Sequence, residues 1–410
     1  MNKKNESTIP GVSIIATAGG ITAAQGFCAA AVKAGIKTSG NTDAALLISE
    51  YDCTAAGAFT TNKVRASSVD WCASVLPGTT IRAVFCNSGN ANACTGTRGK
   101  QDTRTIARTI AKACTTDEKS VLVASTGIIG QFLPMDKILS AIPSLASATA
   151  PSKGTLFAQA IMTTDLKKKE CAFTVQTPSG VFSIGGCTKG SGMIHPNMAT
   201  MLGFITTDAS IDAKVLNGIV KRVVDRTFNN LTVDGDTSTN DMVLVLANGA
   251  SHVTIDKESA PIFEEALFLV CNVLCCKIAE DGEGATKRVQ INVCGGKTYR
   301  DAKLAAKAVA NSNLVKTALF GNDPNWGRIL CAVGYSGAQF SKDKLTLSLC
   351  GVPVCSNLQP LAFPAKELHD KLQKKVVVID IDLGQGKHTA IAQTCDLSYE
   401  YIKINAEYHT

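Results

Sequence analysis

KGSGMIHPNMATML, residues Lys189–Leu202, is the stretch on which the reading of this sequence turns. Gly190 and Gly192 make its first half pliable, and Pro196 fixes one backbone angle. At Ala199-Thr200 the loop switches into the apolar run Met201–Ile205. A small residue followed by threonine, where a loop becomes a strand, is a place where a strained peptide bond can be held. The Thr200 hydroxyl can then attack the Ala199 carbonyl and turn an amide into an ester. Hydrolysis of that ester leaves Thr200 as a new N-terminus. A free α-amine titrates near roughly 7.7–8.0, which makes it a general base at neutral pH within reach of its own hydroxyl. The threonine becomes a nucleophile that carries its base. Taken alone, the same four residues Ala199–Leu202 read more simply as the start of a strand, so the rest of the chain decides.

The chain has 410 residues, 45% of them hydrophobic and 18% charged, which suits one large or two medium globular units rather than a disordered protein. The net charge is +7, from 41 basic and 34 acidic residues, yet no dense basic run carries interleaved aromatics. Lys167-Lys168-Lys169 reads as a solvated face, so no nucleic-acid partner is expected. The longest apolar run, Leu267–Cys276, is too short to span a bilayer. Met1–Ser7 is polar and lacks the apolar core of a signal peptide, so the expected location is cytoplasmic. Sixteen cysteines and five histidines show no paired metal-ligand spacing, and no Cys-x-x-Cys occurs. Buried thiols in a reducing compartment are expected, with no metal. Gly384–Thr389, GQGKHT, lacks the gap of a phosphate-binding loop and reads as a turn.

Working outward, Ala83–Phe85 and Val121–Ala124 read as buried strands followed by polar loops. Between them Thr103–Cys114 reads as a helix, with Asp102 as its cap. Helical spacing recurs over Ile211–Phe228, Phe263–Ala279 and Asp301–Val315, and Val376–Leu383 reads as a strand. Interleaved strands and helices without a repeat or a linker predict an α/β or α+β layered fold.

Further motifs lie along the chain. Before Thr200 they are Gly57–Asn62, Asn87–Ala93, Ser125–Gly130 and Met162–Asp165; after it, Thr232–Asp241, Asp281–Lys287 and Gly321–Arg328. Together with Lys189–Leu202, in this order, they resemble the ornithine acetyltransferase (glutamate N-acetyltransferase) family over about residues 10–410. The resemblance implies an Ntn-hydrolase-like layered α/β fold, cut between Ala199 and Thr200. Residues 1–199 would form an alpha chain and residues 200–410 an interlocked beta chain, assembled as α2β2. It implies transfer of acetyl from N2-acetylornithine to glutamate through an acetyl-threonine on Thr200. Some members also accept acetyl-CoA. No cofactor is implied, because acetylornithine carries its own acyl group.

The resemblance also assigns residues. Thr126 and Gly127 match the oxyanion pair, and Lys189 a substrate-binding lysine suited to an α-carboxylate. Thr163 matches a substrate-contacting threonine, with Thr164 nearly as good a fit. Glu283 matches a binding carboxylate. Asn405 and Thr410 match C-terminal positions that line the substrate site, although His409 departs from the Ser or Thr expected there.

Overall fold

The computed structural model describes residues 5–6, 9–195 and 201–407. Ala199, Thr200 and Thr410 lie outside the described residues, and so does the expected division into residues 1–199 and 200–410.

Two sheets organise the chain. The larger has ten strands. Its main path runs Asn5–Glu6, Ser13–Thr17, Lys169–Thr177, Gly180–Lys189, Leu202–Thr207, Met242–Ala247, Ala44–Phe59, Gly78–Asn90 and Val121–Ile128, and Phe27–Val32 pairs with Ala44–Phe59 off that path. Two neighbouring pairs are parallel: Leu202–Thr207 with Met242–Ala247, and Gly78–Asn90 with Val121–Ile128. Parallel neighbours need a crossover. Helix Ala213–Arg226 lies in the first connection and helix Gly96–Ala113 in the second.

Alternation along the strands gives the sheet two buried faces. Phe204, Leu244 and Leu47 face one continuous core. On the opposite face, Ile205, Val243 and Val245 pack with Leu216 and Ile219 of Ala213–Arg226 and with Phe263 and Leu267 of Ala260–Glu280. Farther along that face, Leu46, Phe85 and Val123 pack with Ile106, Ile110 and Ile138. The strands before residue 196 and those after residue 200 interleave: Gly180–Lys189 pairs with Leu202–Thr207, and Met242–Ala247 with Ala44–Phe59. One core therefore spans both halves of the chain.

The second sheet has six strands, ordered Gln359–Pro360, Val352–Ser356, Thr346–Leu349, Val376–Asp382, Arg288–Gly296 and His388–Cys395. Ile291, Ile379 and Ile381 pack there against Ala306 and Val309 of helix Tyr299–Asn311.

The layered α/β expectation holds, with local corrections. The helix expected at Thr103–Cys114 begins at Gly96, so Asp102 lies inside it, 3.8 Å from Arg98, and is no cap. A Cβ on Gly99 would meet Thr95 Oγ1 at 1.9 Å, so glycine is what lets this first turn pack close. The pattern over Ile211–Phe228 gives helix Ala213–Arg226, capped by Asp212, whose carboxylate accepts from the amides of Lys214 and Val215. Asp301–Val315 is two helices, Tyr299–Asn311 and Asn313–Phe320, divided where Ser312 caps the second. Half of the cysteines are not fully buried, and Cys94, Cys294 and Cys331 are exposed. Among the described residues no helix is long and apolar enough to cross a membrane.

Candidate active site

Strand ends and loops from both halves of the chain enclose a cavity of about 310 Å³. That is the low end of small-ligand pockets and suits an amino acid. Its lining includes Thr126, Gly127, Thr163, Lys189, Glu283 and Asn405, every sequence-assigned site residue that is described.

Thr126 and Gly127 stand within strand Val121–Ile128, which runs four residues past the expected end at Ala124. They are therefore held by the sheet rather than by a turn. Gly127 has φ +130°, a region that L side chains rarely adopt. A Cβ there would sit 2.3 Å from the Gly89 carbonyl carbon. The register shift at Gly89 and Asn90 makes room for this crossing. Asparagines lock the pair in place. Asn240 Nδ2 donates to the carbonyls of Ser125, at 2.8 Å, and Ala91, at 2.6 Å. The Ser125 hydroxyl donates to Asn87 Oδ1 at 2.7 Å, and Asn87 Nδ2 to the Asn90 carbonyl at 2.9 Å. The Asn87–Ala93 motif is thus a polar scaffold under the Thr126–Gly127 backbone.

Lys189 closes strand Gly180–Lys189 and is buried at the cavity wall. Its charge is felt at Asp165 and Asp241, but among the described residues no carboxylate forms a salt bridge with it. A buried cation without a bound carboxylate has the charge to pair with one. Of the two threonines, Thr164 shares a 2.7 Å hydrogen bond with the Ser191 hydroxyl, and Thr163 donates its amide to Asp165 Oδ2 at 3.0 Å. Both line the cavity.

Glu283 is buried after the end of helix Ala260–Glu280, with its amide donating to the Ser191 carbonyl at 2.9 Å. Its carboxylate accepts from Asn405 Nδ2 at 2.9 Å. A Cβ on Gly192 would lie 2.2 Å from Glu283 Oε2, so the glycine of the Lys189–Leu202 stretch makes room for this acid. Asn405 lies in helix Tyr399–Glu407, where an unstructured tail is the ordinary reading of a C-terminus.

The segment Thr232–Met242 holds both flanks of the loop. Upstream, Asp234 accepts from the amides of Met193, at 2.6 Å, and Ile194, at 2.8 Å, and the Thr237 hydroxyl donates to the His195 carbonyl at 2.8 Å. Downstream, the Met242 amide donates to the Met201 carbonyl at 2.9 Å. Asp241 accepts from the Met201 amide and from Ser238. Asp241 is fully buried, and its Oδ2 has no partner among the described residues. Burial pushes its carboxyl well above the usual range, against the pull of those hydrogen bonds and of Lys189. His195 is half-buried; burial first, then Lys307, lowers it to about 4, so it is neutral at pH 7.

Sequence reasoning missed Asp234, Asp241 and Tyr401 as cavity residues. The two aspartates sit inside the quoted Thr232–Asp241 motif with Asp236, which also lines the cavity, and three acids in a short polar segment are the available signal. Burial first, then the charges of Asp234 and Glu283, raises the Tyr401 phenol.

These features define a layered α/β enzyme. Its amino-acid-sized cavity presents a cation, several carboxylates and a threonine–glycine pair held within a strand. The ArgJ family model matches residues 28–410, and the chain belongs to that family. It is similar to the arginine biosynthesis bifunctional protein ArgJ of Symbiobacterium thermophilum, 48% identical over 96% of this chain and 99% of the relative. It is also similar to the protein of the same name from a Synechococcus species, 46% identical over 96% of this chain and 98% of the relative. The crystal structure of the arginine biosynthesis bifunctional protein argJ from Bacillus halodurans is 42% identical, with a TM-score of 0.50, and covers 51% of this chain and 100% of that chain.

Proposed function

We propose that this enzyme moves the acetyl group of N2-acetylornithine to glutamate in arginine biosynthesis, through an acetyl ester on Thr200. The observation that carries this reading is the convergence of six sequence-assigned residues, from five separated segments, on one cavity of about 310 Å³.

In this reading the chain cuts itself between Ala199 and Thr200, and the freed Thr200 amine serves as the base for its own hydroxyl. Asp234 and Asp241 hold the described flanks on either side of that junction, at Met193–Ile194 and at Met201. A solved relative whose whole chain spans about half of this one fits a protein that works as two chains. The Thr200 oxygen attacks the acetyl carbonyl and takes the acyl group, and its proton passes through the α-amine to the departing ornithine amine. Thr126 and Gly127 face the developing oxyanion. Lys189 receives the α-carboxylate of either amino acid. Glu283, fixed by Asn405, receives the side-chain ammonium of ornithine, and Thr163 and Thr410 complete the wall. Glutamate then enters, and its amine takes the acetyl group and regenerates the threonine. Acetyl-CoA serves as a second acetyl donor. The two chains assemble as α2β2 and act in the cytoplasm.

A transfer assay tests this reading. Purified protein given N2-acetylornithine and glutamate should release ornithine and N-acetylglutamate in equal amounts, with ping-pong kinetics. Release of acetate at the same rate without glutamate would mark a hydrolase instead.

A further inference from the structure

Three groups outside the cavity lining draw three of its walls together. Lys169 is 1% exposed, at the head of strand Lys169–Thr177. Its ammonium donates to Asp165 Oδ1 at 2.6 Å, to Asp281 Oδ2 at 2.6 Å and to the Lys167 carbonyl at 3.3 Å. All three of its N–H donors are used.

Each carboxylate also holds backbone amides, and each lies within two residues of a site residue. Asp165 Oδ1 accepts from the Gly190 amide at 2.7 Å, one residue after Lys189, and Asp165 Oδ2 accepts from the Thr163 amide at 3.0 Å. Asp281, two residues before Glu283, accepts from the amides of Leu166 and Lys167 at 3.0 and 3.2 Å. The circuit closes at Ser191, whose carbonyl accepts from the Glu283 amide and whose hydroxyl meets Thr164.

We propose that Lys169 is a positioning residue of the substrate site. With Asp165 and Asp281 it fixes the spacing of Thr163, Lys189 and Glu283, and so matches the cavity to the length of its amino-acid substrates. A buried ion triad is weak evidence for stability, because apolar packing of equal volume often serves as well. Here both carboxylates also hold backbone amides of the binding loops, which an apolar cluster cannot do. The cation itself does not line the cavity, so it acts only through its partners. This inference rests on the acetyl-transfer reading above, since it names that reaction's substrates.

Steady-state kinetics on purified Asp281→Asn and Lys169→Met test it. Asp281→Asn keeps the shape and leaves Lys169 and Asp165 as a neutral pair, so it carries the test should Lys169→Met fail to fold. Displacement of binding groups by a fraction of an ångström is expected to raise KM for both N2-acetylornithine and glutamate about tenfold, with kcat within about threefold. Lys169→Arg, which keeps the charge, should recover part of that loss. An active wild type beside a folded Asp281→Asn with unchanged KM overturns this proposal alone. A wild-type protein that transfers no acetyl group overturns the functional reading, and this proposal with it.

Discussion

Asn405 Nδ2 donates to Glu283 Oε2 at 2.9 Å, which joins the C-terminal helix to the loop that ends helix Ala260–Glu280. The partners are 122 residues apart, and the same Nδ2 also donates to the Tyr401 carbonyl at 3.0 Å, within its own helix. Glu283 is thereby aimed into the cavity by a residue that is itself exposed. Asn405→Ala should leave the melting temperature within about 2 °C, because an exposed polar truncation costs little. It should raise KM for N2-acetylornithine roughly tenfold, through a carboxylate freed to turn away. Kinetics and a thermal melt on the same preparation check both.

Thr126 and Gly127 should separate binding from chemistry. Thr126→Ala removes a donor near the reacting centre and should lower kcat about 100- to 1,000-fold while KM moves little. Gly127→Ala places a Cβ 2.3 Å from backbone at a φ of +130° and should also lower stability. A Thr126→Ala enzyme with normal kcat would remove that hydroxyl from the mechanism.

Two buried carboxyls should shape the pH dependence of stability in opposite directions. Burial pushes the Asp165 carboxyl up, but Lys169 and then Lys189 outweigh it and hold the group at about 2. An acid whose folded pKa is depressed gives stability that is present above its unfolded value, near 3.9, and is lost as pH falls toward 2. Asp241 is raised, so its stabilising, protonated form is lost as pH climbs from about 4 through its folded value. Denaturant melts against pH should therefore show that Asp165→Asn flattens the acid limb. Asp241→Asn, which imitates the protonated carboxyl, should gain on the wild type as pH rises.

Most of the site was legible because its residues fall in short contiguous motifs, some of them placed by a strand end. Lys189 ends one strand, and Thr126–Gly127 lies near the end of another. The ion triad was not legible, because Lys169 and Asp281 are 112 residues apart and nothing local marks them as partners. In the sequence Lys169 reads as one of three solvated lysines; the fold turns it inward because Asp165 and Asp281 are both buried beside it. The 16-residue strand Ala44–Phe59 was not read either. Its register shifts between Ile48 and Ala55 break the strict alternation on which a strand pattern depends. The division at Ser312 was missed for a simpler reason: helical periodicity carries across it, and only a serine cap signals the break.

The central claim is that Thr200 becomes the N-terminus of a second chain and acts as the nucleophile. An intact mass of the purified protein, with an N-terminal read of each fragment, tests it most directly. The account predicts two chains, one of them beginning at Thr200, and a single uncut, inactive chain for Thr200→Ala. A wild-type protein that stays uncut and still moves acetyl from N2-acetylornithine to glutamate would contradict it.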